Sequence, residues 1–285
     1  MDVRQSLEYA KYIESIGWQV EKINKGNVFV KKIPLVGFLI KIQRISPPIS
    51  FAEIEKLAEK HHAFQIILEP SFVPETSHNS QISHGYKPLK SPFIPTKTLI
   101  LDLGPSERQI FASLSKNKRR DIRIAEKNNL IIKEGSPEEF VQLKKKTLWK
   151  KRILPLGTER EILPLVKAFG DKAKIFIAYL STNPNKHPEP IAGTLLLFHN
   201  KTAYYWQAAA TNTGKKFMAP TLLLWEAIKV SKKKGCETFD FEGIYDERFP
   251  QNKSWLGFSH FKKGFGGKEI LFPLPLTKTT FPRLI

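Results

Sequence analysis

The stretch Phe239–Gly267 reads FDFEGIYDERFPQNKSWLGFSHFKKGFGG. Its first residues, with Thr238, alternate apolar and polar and predict a short strand over 238–241 that breaks at Glu242-Gly243. An irregular polar loop with Arg248 and Pro250 follows, then an aromatic, lysine-bearing turn over 258–267. Glycines let a backbone turn tightly or approach a ligand. Aromatic rings give rigid walls, and a lysine among them places a cation beside low-dielectric surface. The stretch therefore reads as one wall of a shaped pocket that holds a cation, with the other elements arranged to support it.

Working outward, the strand is preceded by a helix over 219–234, started by Pro220 and stopped by Gly235. Strands are expected at 174–180, 191–199 and 202–209, with a polar loop over 181–189. Before them come a buried strand at 96–103, one helix from Ser106 to about Asn128, a strand at 130–133 and a helix opened by Ser136-Pro137-Glu138-Glu139. Thr158 is read as the cap of the next helix. The first third predicts a helix over 5–16 with Leu7, Ala10, Ile13 and Ile16 inward. It continues with a hairpin turning at 24–27, a strand at 37–45, a helix from Ser50, a strand at 64–68, a loop at 69–83 carrying a short helical piece, and a strand at 86–94. Helices and strands mix with hairpins and crossovers, so the fold class is α/β with mixed sheets.

The chain has 285 residues, of which 41% are hydrophobic, enough for a real core. It has 46 basic and 27 acidic residues, a formal charge of +19. That balance favours a polyanionic partner: RNA, a phosphorylated substrate or an anionic membrane face. No apolar run suits a membrane span, and the first residues lack a signal-peptide pattern, so a cytoplasmic location is expected. The single cysteine, Cys236, suits a reducing compartment and reads as a small core residue. The seven histidines show no ligand spacing, so no metal site is expected. There is no phosphate-binding P-loop and no Gly-x-Ser-x-Gly elbow, which leaves positioning and charge stabilisation as the means of catalysis.

Candidate residues follow from these patterns. Lys116, Lys118, Arg119, Arg120 and Arg123 gather on one helical segment, where they would contact phosphates or simply solvate a helix face. Thr211–Ala219 lies between a strand and a helix, where a CoA-binding acyltransferase would carry a glycine-rich pyrophosphate loop. Only Gly214 is present there, so the loop's chemistry does not match; Lys215 and Lys216 could still hold a phosphate. Lys262 reads as a ligand-facing cation, and Asp240 as an acid at the end of a sheet strand.

Several segments in order carry a further reading: TLILDL (98–103), KNKRRDIRIAEK (116–127), IAGTLLLFHNKTAYYWQAA (191–209), APTLLLWEAIKVSKKKGCETFDFEG (219–243) and FSHFKKGFGG (258–267). Together they resemble the FemABX family of peptidoglycan-bridge aminoacyltransferases. GFLIKIQRIS (37–46) is similar to the strand before that family's usual turn, here altered to RISPP. The resemblance implies two GNAT-like domains in tandem: a reduced one over 1–95, with 268–285 as its candidate completion, and a catalytic one over 96–267. It implies transfer of an amino acid from aminoacyl-tRNA, used as co-substrate with no other cofactor, to the stem-peptide amine of a UDP- or lipid-linked peptidoglycan precursor. Peripheral contact with the inner membrane face is part of that expectation; DNA is not. Phe261 and Lys262 would shape the acyl pocket and stabilise the oxyanion. Lys11 and Arg152 match the family's precursor contacts, with Asp240, Gly243 and Tyr205 as further substrate-binding candidates. Two other readings stay open: an acyl-CoA-dependent N-acyltransferase on the same fold, and a non-catalytic RNA-binding protein.

Overall fold

The computed structural model describes residues 1–24, 26–46, 48–71, 84–128, 130–181 and 188–280. Most of the loop expected at 69–83, and most of that at 181–189, lie outside the described residues. In chain order the elements are α1 (Leu7–Ser15), β1 (Gln19–Ile23), β2 (Gly26–Ile33), β3 (Gly37–Gln43), α2 (Phe51–Lys60), β4 (Ala63–Glu69), β5 (Lys87–Pro88), β6 (Lys97–Asp102), α3 (Glu107–Ser113), α4 (Lys116–Lys127), β7 (Leu130–Glu134), α5 (Pro137–Lys150), α6 (Thr158–Phe169), β8 (Ala173–Leu180), β9 (Glu189–His199), β10 (Thr202–Ala210), α7 (Asn212–Lys216), α8 (Ala219–Lys233), β11 (Thr238–Gly243), α9 (Leu256–Lys263), β12 (Lys268–Leu271) and β13 (Leu276–Thr279). The chain divides into two compact units, one of Met1–Lys97, Tyr245–Lys253 and Ile270–Ile285, the other of Thr98–Ile244 and Ser254–Glu269.

The first unit is built on a mixed sheet of order β1-β2-β3-β4-β13-β5. Its parallel pair, β3 and β4, is joined through α2, whose Phe51, Ile54 and Ala58 are buried. Ile40, Ile42, Ile66 and Leu68 on these strands are fully enclosed, which suits their near-continuous apolar run. Ser50 caps α2, accepting from the Glu53 N–H as its sequence predicts. α1 buries Tyr9, Ala10, Tyr12 and Ile13, while Leu7 is exposed, so its inward stripe is rotated from the one expected. The strand expected at 86–94 shrinks to two paired residues, because Pro88 and Pro92 supply no N–H to a ladder. Under the sheet, Gln5 Nε2 donates to the Gln43 carbonyl (2.6 Å) and Gln5 Oε1 accepts from the Asn27 N–H (2.6 Å). Arg44, at φ 56°, is buried with its guanidinium 3.3 Å from the centre of the Phe272 ring. Tyr245–Lys253, contiguous with the opening stretch in sequence, packs within this unit, where Arg248 Nη2 bonds Asp246 (2.7 Å) and the Phe272 carbonyl (2.9 Å).

The second unit carries a seven-stranded sheet of order β12-β6-β11-β10-β9-β8-β7. Here β10 and β11 are parallel and joined by α8, which buries Leu223, Leu224, Ala227 and Ile228. The other strand pairs from β6 to β9 and on to β7 are antiparallel. Phe239, Phe241 and Phe265 are each fully buried in the core, and burial of such a ring is worth about 2–3 kcal/mol. Their rings form a chain, with centroids 5.1 Å apart for Phe239–Phe241 and 6.1 Å for Phe241–Phe265.

Two helix boundaries differ from those expected. The helix from Ser106 to Asn128 is two helices, because Leu114 turns extended and Ser115 starts anew as the cap of α4, accepting from the Lys118 N–H. The Ser115 N–H is meanwhile used by the Gly264 carbonyl at 2.9 Å, a long-range partner that no local pattern encodes. α6 is preceded by Gly157 at φ 81° and has no side-chain cap; the Thr158 hydroxyl donates back to the Pro155 carbonyl instead.

Candidate active site

The site grows from a fork in the second sheet. β10 and β11 pair only over Thr202–Tyr204 and Thr238–Asp240. Beyond Tyr204 the β10 strand continues with β9 alone to Ala210. Two irregularities open the fork. One lies between Tyr205 and Gln207 on β10, the other between Asp240 and Gly243 on β11. The second arises because Glu242 adopts φ 59°, the left-handed region that a side chain enters only when held there. Asp240 holds it: its Oδ1 accepts the Glu242 N–H at 2.7 Å and is also bonded by the Thr98 hydroxyl. The Thr98 hydroxyl lies 2.8 Å from the Glu242 carbonyl as well.

The segment expected to be an aromatic turn is a helix, α9, and it delivers the lysine. Lys262 is 9% exposed and its Nζ donates to the Gly243 carbonyl at 2.7 Å. The same ammonium lies 5.0 Å from the Phe258 ring centre and 5.9 Å from that of Tyr205. Burial pushes the Lys262 pKa down to about 8, although Glu242 and Asp240 pull it the other way. At neutral pH it is thus a desolvated cation whose fixed bond engages one of its three N–H donors. Burial pushes the Tyr205 phenol upward. Such a phenol stays neutral.

Phe261, next to Lys262, packs against Phe265, with ring centroids 5.5 Å apart. The Lys118 ammonium sits 3.9 Å from its ring centre and 5.4 Å from that of Phe265. Burial lowers the Lys118 pKa, opposed by Asp121. Gly264 permits this approach, since a Cβ there would stand 2.9 Å from Lys118 Cγ and Cε. Lys118 therefore packs on the aromatic wall, in contrast to the open phosphate-facing role considered from sequence.

The remaining candidates are spread out. Arg119 donates to the Ala112 carbonyl (2.8 Å) and to that of Leu114, closing the end of α3. Lys116, Arg120 and Arg123 are exposed, with Arg120 on Asp121 (3.1 Å) and Arg123 5.7 Å from the Phe111 ring centre. Lys215 and Lys216 are exposed on α7, a short helix where a loop was expected. Gly214 in that helix is locked in place, because a Cβ would lie 2.2 Å from the Ile191 carbonyl oxygen. Lys11 is exposed on α1 of the first unit, and Arg152 is exposed at φ 58° after α5 of the second. None of the hydrogen bonds, ion pairs or ring contacts of the described residues joins Arg152, Lys215 or Lys216 to Lys262. Cys236 is half-buried and its thiol is pushed up by burial. Among the described residues, no group of His, Cys, Asp and Glu is placed to hold a metal ion. Nor is any helix among them long and apolar enough to cross a membrane.

Sequence reasoning missed Thr98, Glu242 and Phe258. Phe258 was in view as an aromatic. It precedes Lys262 by one helical turn, a signal hidden when the segment is taken as a turn.

Residues 181–270 match the model of the FemAB family. No curated protein matches the chain in sequence. The fold is similar to that of the crystal structure of FemX, with a TM-score of 0.80 at 15% identity over 98% of this chain and 92% of that one. It is also similar to the C-terminal domain of a putative lysylphosphatidylglycerol synthetase from Agrobacterium fabrum, with a TM-score of 0.61 at 13% identity over 96% and 88% of the two chains. A tandem GNAT protein from the clavulanic acid biosynthesis pathway gives 0.53 at 11% identity over 90% and 81%. The part of the chain that carries the fork and α9 thus matches the FemAB family in sequence, within a fold similar to those of FemX and a tandem GNAT protein.

Proposed function

We propose that the chain is an aminoacyltransferase that moves an amino acid from aminoacyl-tRNA to the stem-peptide amine of a peptidoglycan precursor. One observation carries this reading: a buried ammonium, Lys262, is fixed at the mouth of a strand fork by the Gly243 carbonyl. Acyl transfer develops negative charge on the ester carbonyl oxygen, and a preorganised cation in a low-dielectric site stabilises it best. In this scheme the acceptor amine attacks the ester carbon and a C–N bond forms. The tetrahedral oxyanion is held by Lys262. The C–O bond then breaks, and the ribose hydroxyl departs with the proton the amine gives up. Asp240 and Thr98 keep the Gly243 carbonyl in place through the bulge at Glu242. The FemAB family match over residues 181–270 supports the precursor as acceptor, and the exposed Lys116, Arg120 and Arg123 suit the tRNA backbone.

The test supplies purified protein with a panel of charged tRNAs and with UDP-linked and lipid-linked precursors, following product mass. The expected result is a precursor heavier by one aminoacyl residue, formed with wild type and reduced at least about a hundredfold with Lys262→Ala. Product formed from acyl-CoA and from no charged tRNA would overturn the reading.

A further inference from the structure

We propose that residues 149–156 of the second unit form a docking patch for an anionic phospholipid surface. The segment reads WKKRILPL, and every residue from Trp149 to Leu154 is exposed, as is Leu156. The apolar members stand out: Trp149 is 60% exposed, Ile153 51%, Leu154 63% and Leu156 85%. A soluble surface scatters such residues singly; four exposed within eight positions concentrate apolar surface in one segment, which calls for a partner.

The fold presents these side chains outward by construction. α5 buries Phe140, Val141, Leu143 and Thr147 and leaves the core after that last residue. The Lys151 and Ile153 N–H groups then close on the Leu148 carbonyl at 2.9 and 3.0 Å, and the Arg152 N–H on that of Trp149 at 2.9 Å. At the far end the Thr158 hydroxyl bonds the Pro155 carbonyl at 2.9 Å. A loop tied at both ends in this way holds its apolar residues in water.

The charge pattern selects the occupant. From Phe140 to Thr158 the sequence carries lysines and an arginine and no acid. Lys145 and Lys146 are paired with Glu159 and Glu189, whereas Lys150 and Lys151 have no ion pair among the described residues. Exposed leucines, an isoleucine and a tryptophan interleaved with unpaired lysines match the boundary between anionic headgroups and acyl chains. A second copy of this chain would set like charges together. Naked RNA would leave the leucines and isoleucine uncovered. The inference stands apart from the acyl-transfer reading and does not depend on it.

The test is sedimentation of the full chain with vesicles of phosphatidylglycerol in phosphatidylcholine, against phosphatidylcholine alone. Wild type is expected to bind the anionic vesicles, more weakly as salt rises. Ile153→Ser/Leu154→Ser/Leu156→Ser and Lys150→Gln/Lys151→Gln are each expected to weaken binding about tenfold or more, with unchanged thermal unfolding. Brominated lipid should quench wild-type fluorescence more than that of Trp149→Phe, which reports the patch even if the triple variant folds poorly. The proposal is overturned if wild type ignores anionic vesicles, if the triple variant folds and binds as well as wild type, or if Trp149→Phe is quenched equally. Self-association of wild type that the triple variant abolishes, without vesicle binding, would make a second copy the occupant and overturn it too.

Discussion

Lys262 Nζ is bonded at 2.7 Å to the carbonyl of Gly243, the last residue of β11, while its own side chain rises from α9. The bond links the fork in the sheet to a helical residue nineteen positions further along the chain. It also fixes where a desolvated positive charge stands. The pull on the Lys262 pKa from burial outweighs the opposing pull of two nearby acids, so the charge is held at a cost to the fold.

That cost separates activity from stability. Lys262→Met keeps the volume and removes the buried charge, at the loss of one bond to the Gly243 carbonyl. Relief of the depressed pKa is worth up to about 3 kcal/mol, and an unsatisfied carbonyl costs about 1–3 kcal/mol. The variant should therefore melt within a few degrees of wild type, or above it, while aminoacyl transfer falls at least about a hundredfold. A variant that unfolds and loses activity together would reduce Lys262 to a structural residue.

The pH dependence follows with opposite signs for the two properties. In the folded chain Lys262 loses its proton near pH 8; in the unfolded chain it keeps it to about 10.4. Between these values the unfolded state binds more protons, so the contribution of Lys262 to stability rises with pH, and below about 8 the penalty is present in full. Transfer needs the charged form, so turnover should fall as pH passes through about 8. Unfolding of wild type and Lys262→Met in urea from pH 6.5 to 10 checks the first, since wild type should gain stability relative to the variant as pH rises. Single-turnover rates over the same range check the second.

Among the basic residues, Arg119 should behave unlike its neighbours. Its guanidinium serves the Ala112 and Leu114 carbonyls at the end of α3, so Arg119→Ala should cost about 1–2 kcal/mol and lower the melting temperature. Lys116→Ala, Arg120→Ala and Arg123→Ala touch exposed side chains and should leave melting unchanged. If these contact phosphates, each should lower the salt slope of tRNA binding by about 0.7–0.9. Equal slopes for all three and wild type would take tRNA off this helix.

The sequence made most of the strands legible, because β3, β4, β8 and β9 are apolar runs bounded by turn residues, but β13, which completes the first sheet beside β4, was not expected. It also singled out Lys262 and Asp240, which the structure brings to the same fork. What escaped depended on contacts between distant residues. The break at Leu114-Ser115 is set by the Gly264 carbonyl, and the bulge at Glu242 by Thr98 on another strand. α9 was hidden by its flanking glycines, which local pattern reads as a turn although only Gly266 and Gly267 have positive φ. Lys118 looked like part of a phosphate-facing row until the fold laid it over Phe261.

Those glycines make the last prediction a paired one. Gly267 has φ +102°, and a Cβ there would stand 2.8 Å from the Ile100 carbonyl oxygen on β6. Neither the angle nor the backbone oxygen can yield, so Gly267→Ala should cost roughly 3 kcal/mol of stability. Gly264 has φ −63° and ψ −16°, a helical geometry that alanine accepts. Its Cβ would meet only the flexible Lys118 chain at 2.9 Å and Ser115 Oγ at 3.3 Å. Gly264→Ala should therefore keep its stability within about 1 kcal/mol and instead push the Lys118 ammonium off the Phe261 ring. If that stacking positions Phe261 for transfer, Gly264→Ala and Lys118→Ala should each slow turnover severalfold. The double variant should be no slower than either, since both remove the same contact. Thermal melts and turnover for the four proteins decide it: independent, multiplying losses would mean that the glycine and the lysine act through different parts of the site.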